Sequence, residues 1–193
     1  MNKIESKTDV TYEYIKDGLR TGKWMFGDDL IVTDIAEALD VSRRPVLDAL
    51  KRLEAEYFVE IIPQTGSRVK AYSELEMYDH FLTSMSFEGL SAYLAAQRRE
   101  ELDINQLFQL NENLRKIIDE EPFSVDHYLY EKRRFHQAIM NMAKSDKLQS
   151  MIKNQWDLND FFLKNVPVIH PSLKVTILEQ ELIIEKIKNK DEE

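Results

Sequence analysis

One short stretch departs from an otherwise helical pattern and limits what the chain can fold into. Residues 58–72, FVEIIPQTGSRVKAY, alternate apolar and polar side chains on either side of Pro63-Gln64-Thr65-Gly66. A period of two turns one face of a strand to a core, and a Pro/Gly-containing tetrapeptide between two such runs reads as a hairpin. Before it, Val10, Tyr14, Ile15 and Leu19 recur at helical spacing, and Gly22 with Gly27 marks a helix end and a turn. Thr33 is the expected cap of a second helix through Ile35, Ala36 and Leu39, which exits at Asp40. Ser42 is the expected N-cap of a third. Pro45 lies in its first turn, where a missing N–H costs nothing, and Val46, Leu50 and Leu53 form its apolar face. Three helices on short connections and then a hairpin describe a winged helix-turn-helix, whose third helix enters a major groove with the hairpin beside it.

From Ser73 onward the period is helical almost to the end, with breaks at Glu100–Asp103, Pro122, Ser145-Asp146 and Pro167–Pro171. Five helices are expected. Their apolar stripes are Leu75/Tyr78/Leu82/Met85/Ala92, Leu107/Leu110/Leu114/Ile117, Val125/Tyr128/Leu129/Phe135/Ile139, Leu148/Met151/Ile152/Trp156/Phe162 and Leu173/Ile177/Ile184/Ile187, each given to a shared core. The fold class is therefore mainly α: a winged helix-turn-helix with a small β-hairpin over residues 1–72, then an all-α bundle over residues 73–193.

Composition narrows the function. With no cysteine the chain has no disulfide, thiolate metal site or cysteine nucleophile. Its five glycines, at 18, 22, 27, 66 and 89, make no phosphate-cradling loop, and no nucleophile elbow, HExxH or dinucleotide fingerprint occurs. Neither an enzyme nor a cofactor is expected. The start lacks the apolar core of a signal peptide and no run of about 18 apolar residues exists, so the expectation is a cytoplasmic protein with no membrane partner.

The net charge is −9, and the first 73 residues hold 11 basic and 13 acidic residues. Within that acidic background, residues 41–53 carry Arg43, Arg44, Lys51 and Arg52 against Asp48 alone, with Arg68 and Lys70 on the hairpin. These cations either pair with Asp48, Glu54 and Glu56 as ordinary surface charge, or they meet DNA. A helix starting at Ser42-Arg43-Arg44 offers free N–H groups to phosphate and arginine to guanine edges. The stretch GDDLIVTDIAEALDVSRRPVLDALKRLEAEYFVEIIPQTGSRV, residues 27–69, resembles the DNA-binding domain of GntR-type bacterial transcription regulators, and the likeness covers residues 12–70. On that resemblance Ser42, Arg43, Arg44, Gln64, Thr65 and Gly66 match positions that contact phosphate or bases, in a dimer on double-stranded operator DNA. Gly66 also suits a tight wing turn close to DNA. Two departures stand out: Leu47 replaces an arginine that commonly touches DNA, and Tyr57 or Phe58 replaces a glycine before the wing.

The helical half, through YEKRRFHQAIMNMAKSDKLQSMI at residues 130–152, resembles the FadR-like subfamily, whose C-terminal domain senses a small effector, often a carboxylate. Asp146 is the expected cap of the helix that follows. In metal-binding members an aspartate precedes the histidine by four residues and further histidines complete the site; here those positions hold Lys132 and Gln180, and His136 alone remains. No metal is expected. His127 and His136, nine residues apart, fall on opposite faces of a helix and do not converge. An arginine that holds acidic effectors in many relatives is replaced by Ser84, four residues before Glu88. The candidate effector residues are Glu88, Lys132, His136 and Gln180. By its spacing Lys132 shares the inward stripe with His136, and its ammonium either snorkels to the surface or meets Glu88 or an effector carboxylate.

The expectation is thus a homodimeric transcription regulator governed by a small-molecule effector. The alternative is a ligand-binding or scaffold protein with a degenerate winged helix, supported by Leu47 and the acidic balance. A small-molecule enzyme would have only Glu88, Lys132 and His136 to work with.

Overall fold

Ser6 starts the first helix, α1 (Lys7–Thr21), through a capping box: its hydroxyl accepts the Asp9 N–H at 3.1 Å while the Asp9 carboxylate accepts from Ser6. Gly22, at φ 80°, closes the helix in the left-handed conformation. The computed structural model describes residues 6–166 and 170–190, with side chains omitted for 101, 102 and 170–172. Along it follow α2 (Val32–Ala38), α3 (Arg43–Ala55), β1 (Val59–Ile62), β2 (Gly66–Val69), α4 (Glu74–Arg98), α5 (Glu101–Ile118), α6 (Val125–Ala143), α7 (Asp146–Asn165) and α8 (His170–Asn189). No described helix is long and apolar enough to cross a membrane.

Two caps differ from the sequence reading. Helix α2 begins after Ile31, with no side-chain cap, so Thr33 lies inside its first turn. For α7 the capping oxygens come from Ser145: its carbonyl accepts the Gln149 N–H at 2.9 Å and its hydroxyl the Leu148 N–H at 3.4 Å. Asp146 is the first helical residue, where its charge suits the helix dipole.

The chain divides into two compact units, residues 1–77 with 157–167 and residues 78–156 with 168–193. In the first, Ile15, Leu19, Leu30, Val46, Leu50, Leu53, Phe58 and Val69 are buried. The hairpin pairs Val59 with Val69 and Ile62 with Gly66, antiparallel. Residues 27–30 add a partial third strand: Leu30 donates to the Ser67 carbonyl and Val69 to the Asp28 carbonyl, both at 2.8 Å. The second half of α7 completes this core. Phe161 meets Phe26 and Phe58 edge-on at 5.1 and 5.4 Å, Phe162 meets Tyr72 at 4.7 Å, and Asn165 Oδ1 accepts the Phe26 N–H. Gly18 is required by packing, because a Cβ there would lie 2.4 Å from the Trp24 ring.

In the second unit α5 packs against α6 and α8. Leu107, Leu110, Leu114, Ile117, Phe135, Ile139, Ile177, Ile184 and Ile187 are buried, and Met140, Leu148, Ile152 and Trp156 cluster against Phe87 and Leu94. Consecutive arginines at the end of α4 reach carbonyls in the last turns of neighbouring helices. Arg98 donates to the Ala143 carbonyl of α6, and Arg99 to the Ile187 carbonyl of α8. The expected α4 stripe is a correction: Leu75, Tyr78, Leu82 and Met85 face outward, and the buried side is Ser84, Ser91, Ala95 and Ala96. Helix α4 carries apolar residues on two faces, and its small residues, not its large ones, allow close approach to the bundle. Met151 also lies exposed, whereas the stripes of α5 and α8 are buried as expected.

Candidate nucleic-acid interface and effector site

Val46, Ala49, Leu50 and Leu53 hold α3 to the core, and this fixes which of its side chains look out. Ser42 occupies the N-cap position in extended conformation, φ −72° and ψ 166°, but its side chain makes no capping bond. The first N–H groups of α3 therefore remain open to an anion such as phosphate. Arg43 and Lys51 are exposed and have no ion pair among the described residues. Arg44, also exposed, is tethered through Nε to Asp48 Oδ2 at 2.9 Å. Arg52 is committed to the fold: it lies 3.6 Å over the Tyr12 ring and pairs with Asp9 at 3.4 Å and Glu56 at 3.5 Å. The basic cluster thus divides, with Arg52 structural, Arg44 half-held, and Arg43 and Lys51 available. Glu54 pairs with none of them; its carboxylate accepts the Ile61 N–H and fastens the wing to α3.

On the wing, Gln64, Thr65 and Gly66 are exposed at the hairpin tip. Gln64 has φ 63° and Gly66 φ 149°, and the Thr65 N–H donates to the Ile62 carbonyl. Arg68 pairs with Glu60 across the strands at 3.1 Å. The structure also says which residue stands at the glycine position before the wing: Tyr57, at φ 70°, takes the left-handed turn that ends α3, whereas Phe58 is buried. The Tyr57 carbonyl accepts the Tyr72 hydroxyl.

In the helical unit the structure brings Glu88, His136 and Trp156 together. Trp156 Nε1 donates to Glu88 Oε1 at 3.0 Å, and His136 Nδ1 lies 3.6 Å from the same oxygen. Burial pushes the His136 imidazole below its ordinary value; Glu88 opposes the shift, and Lys132 and Arg133 add to it. Glu88 is therefore turned to Trp156 and His136 and not to Lys132. Lys132 is half-buried, with no hydrogen bond or ion pair among the described residues. Gln180 is 3% exposed and its Oε1 has no hydrogen-bond partner; Asn111 Oδ1, on α5, is in the same condition. His127 sits in the first turn of α6, exposed and beside Glu120 at 3.3 Å.

Sequence reasoning missed Glu131. It is buried at the spacing of Tyr128 and Phe135, accepts the Asn113 amide at 3.4 Å and pairs with Arg134 at 2.5 Å. That spacing was its signal, masked by the charged run Glu131-Lys132-Arg133-Arg134. A divalent metal does not fit the residues present. No group of three or more histidines and carboxylates converges among the described residues, and an ammonium stands where a carboxylate ligand would be needed.

An outward-facing basic helix start with a wing, followed by an all-helical bundle, is the architecture of a winged helix-turn-helix protein with a second, all-α domain. Residues 7–69 match the gntR family of bacterial regulatory proteins and residues 81–193, more than half of the chain, match the FCD domain. The chain belongs to the GntR family and carries an FCD domain. It is 26% identical over 150 residues to the HTH-type transcriptional repressor GlaR of Escherichia coli strain K12, covering 76% of this chain and 68% of that one. It is 28% identical over 86 residues to an HTH-type transcriptional regulator from the TAR-I ttuE-ttuC' intergenic region of Agrobacterium vitis, where the match spans 45% of this chain and only 50% of the relative. Among solved structures, E. coli McbR/YncC shares the fold with a TM-score of 0.77 at 23% identity, over 98% of this chain and 89% of that one.

Proposed function

We propose that this chain binds an operator in double-stranded DNA as a homodimer in the cytoplasm, under the control of a small-molecule effector, and catalyses no reaction. Residues 1–72 supply the DNA-binding surface and residues 73–193 sense the effector and dimerise. The observation that carries the reading is the open start of α3, where Ser42 leaves the helix N–H groups uncapped and Arg43 is unpaired. Affinity would come from phosphates and specificity from arginine on guanine edges. Gln64, Thr65 and Gly66 at the wing tip add backbone contacts.

The outward apolar stripe of α4 supports dimerisation. Tyr78 is 59% and Met85 64% exposed, with Leu82 between them and Leu90 and Tyr93 beyond, a row of large apolar side chains of the kind that marks a protein–protein contact. The half-buried Lys132 ammonium, His136 and the unpaired Gln180 Oε1 support a polar effector site, with Glu88 beside His136. A carboxylate effector suits Lys132. Effector binding would shift the dimer between geometries that fit and do not fit two half-sites.

Selection of random duplexes on the purified protein tests this. An enriched sequence with two related half-sites is expected; no enrichment over random DNA would leave the ligand-binding alternative, with a winged helix that does not read sequence. In a thermal-shift screen, small carboxylic acids should stabilise the wild type and not Lys132→Met.

A further inference from the structure

Leu47 is a large apolar side chain on the outward surface of α3, 44% exposed. At about 100° per residue it projects between Arg43 on one side and Lys51 and Arg44 on the other, so three cations surround it and the core residues lie behind. The Arg44 guanidinium is drawn toward Asp48, on the flank away from Leu47, which keeps the leucine uncovered. Neither water nor phosphate favours a leucine there. The major groove offers one apolar group, the C5 methyl of thymine.

We propose that Leu47 determines specificity by packing against the C5 methyl of a thymine in each half-site. The inference rests on the reading that α3 enters the major groove of an operator. Leu47 then selects a T·A pair at one fixed step, between the pairs and phosphates met by Arg43 and by Lys51. The contact is apolar and needs no partner from the wing.

The test uses the full chain and the duplex enriched by selection, with thymidine replaced by deoxyuridine one position at a time in both half-sites. Deoxyuridine pairs with adenine identically and lacks only the methyl. At one position the wild type should lose about fourfold in affinity for each half-site altered, the worth of one buried methyl-sized group. Leu47→Ala should bind the thymine and uracil duplexes equally at that position. Because Leu47 is outside the core, its thermal midpoint should match the wild type. A wild type indifferent to every replacement, or a Leu47→Ala protein as sensitive as the wild type, overturns the inference while operator binding stands. No enriched duplex at all, with Arg43→Ala binding DNA as the wild type does, removes the operator reading and this inference with it.

Discussion

Lys16 on α1 and Asp157 on α7, 141 positions apart in the sequence, form an ion pair of 2.8 Å that is mostly out of water. The same ammonium lies 2.9 Å from Glu56 at the end of α3, which Arg52 also reaches at 3.5 Å, and sits over the Phe58 ring at 5.0 Å. Tyr12 donates to Glu56 at 2.6 Å and accepts from Lys16 at 2.8 Å. One cation thus serves two carboxylates and a phenol from three helices, all within the winged-helix unit. Removing it leaves both carboxylates partly buried with less positive charge beside them. Lys16→Met should destabilise the protein by about 2–4 kcal/mol, less than a fully buried pair because both acids retain some solvent. Urea unfolding followed by circular dichroism would show it; a change under about 0.5 kcal/mol would mean that solvent compensates the acids.

The same cluster predicts alkaline sensitivity. Burial, followed by the Glu56 hydrogen bond, pushes the Tyr12 phenol up to about 12 from 10.0. The Lys16 ammonium is also raised, because hydrogen bonds led by Asp157 outweigh the lowering by desolvation. Both groups hold their protons more tightly folded than unfolded, so their stabilisation is complete below about pH 10 and is lost as pH rises through the folded values. Unfolding midpoints should fall steeply between about pH 10 and 12, and Tyr12→Phe should flatten that fall. An unchanged slope in the variant would assign the loss to other groups.

Arg43 and Arg52 stand nine residues apart on α3 and should separate cleanly. Arg43→Ala should weaken binding to a selected duplex by about 1–3 kcal/mol at fixed salt and leave the thermal midpoint alone. Arg52→Ala removes a guanidinium stacked on Tyr12 and shared by Asp9 and Glu56, so it should cost about 1–2 kcal/mol of stability. Measured by anisotropy and thermal unfolding on both variants, the reverse assignment would mean that Arg52, not Arg43, meets the DNA.

Periodicity made much of this legible. Ser42 and Pro45 announce α3, the alternation around Gly66 announces the wing, and Leu107/Leu110/Leu114/Ile117 announce the buried face of α5. What it could not supply is which neighbour an apolar face meets. Helix α4 has two such faces, and size misleads there, since Ser84, Ser91 and Ala95 pack inward while Tyr78 and Met85 look out. On α7, Trp156 joins the cluster with Glu88 and His136, while Phe161 and Phe162, one turn on, complete the winged-helix core; an unbroken stripe cannot show that division. At the candidate effector site, the pairing of Glu88 with Trp156 joins positions 68 apart and leaves no local signal.

Tyr57 carries a cost the fold accepts. A non-glycine residue at φ 70° is strained by its Cβ, and its ring, 60% exposed, gains little packing beyond Lys70 at 5.5 Å. Its carbonyl bond to Tyr72 is backbone-borne and survives substitution. Tyr57→Gly should raise stability by about 0.5–1 kcal/mol; a loss instead would show that the ring's contact with Lys70 outweighs the strain.

His136 should make the helical unit sensitive to acid. Burial disfavours its imidazolium, and of the charged groups that act on it Glu88 alone favours the charge, while Lys132 and Arg133 oppose it. A base whose folded value lies below 6.5 takes up a proton more readily when unfolded, so stability is retained above about pH 6.5 and falls as pH drops through the window below it. His136→Gln keeps a polar side chain that does not titrate. The variant should show a smaller loss of thermal midpoint between about pH 6.5 and 5 than the wild type, whatever its stability at neutral pH. Two parallel curves would place the acid sensitivity elsewhere, and a steeper curve in the variant would mean that Glu88 holds the folded imidazole charged.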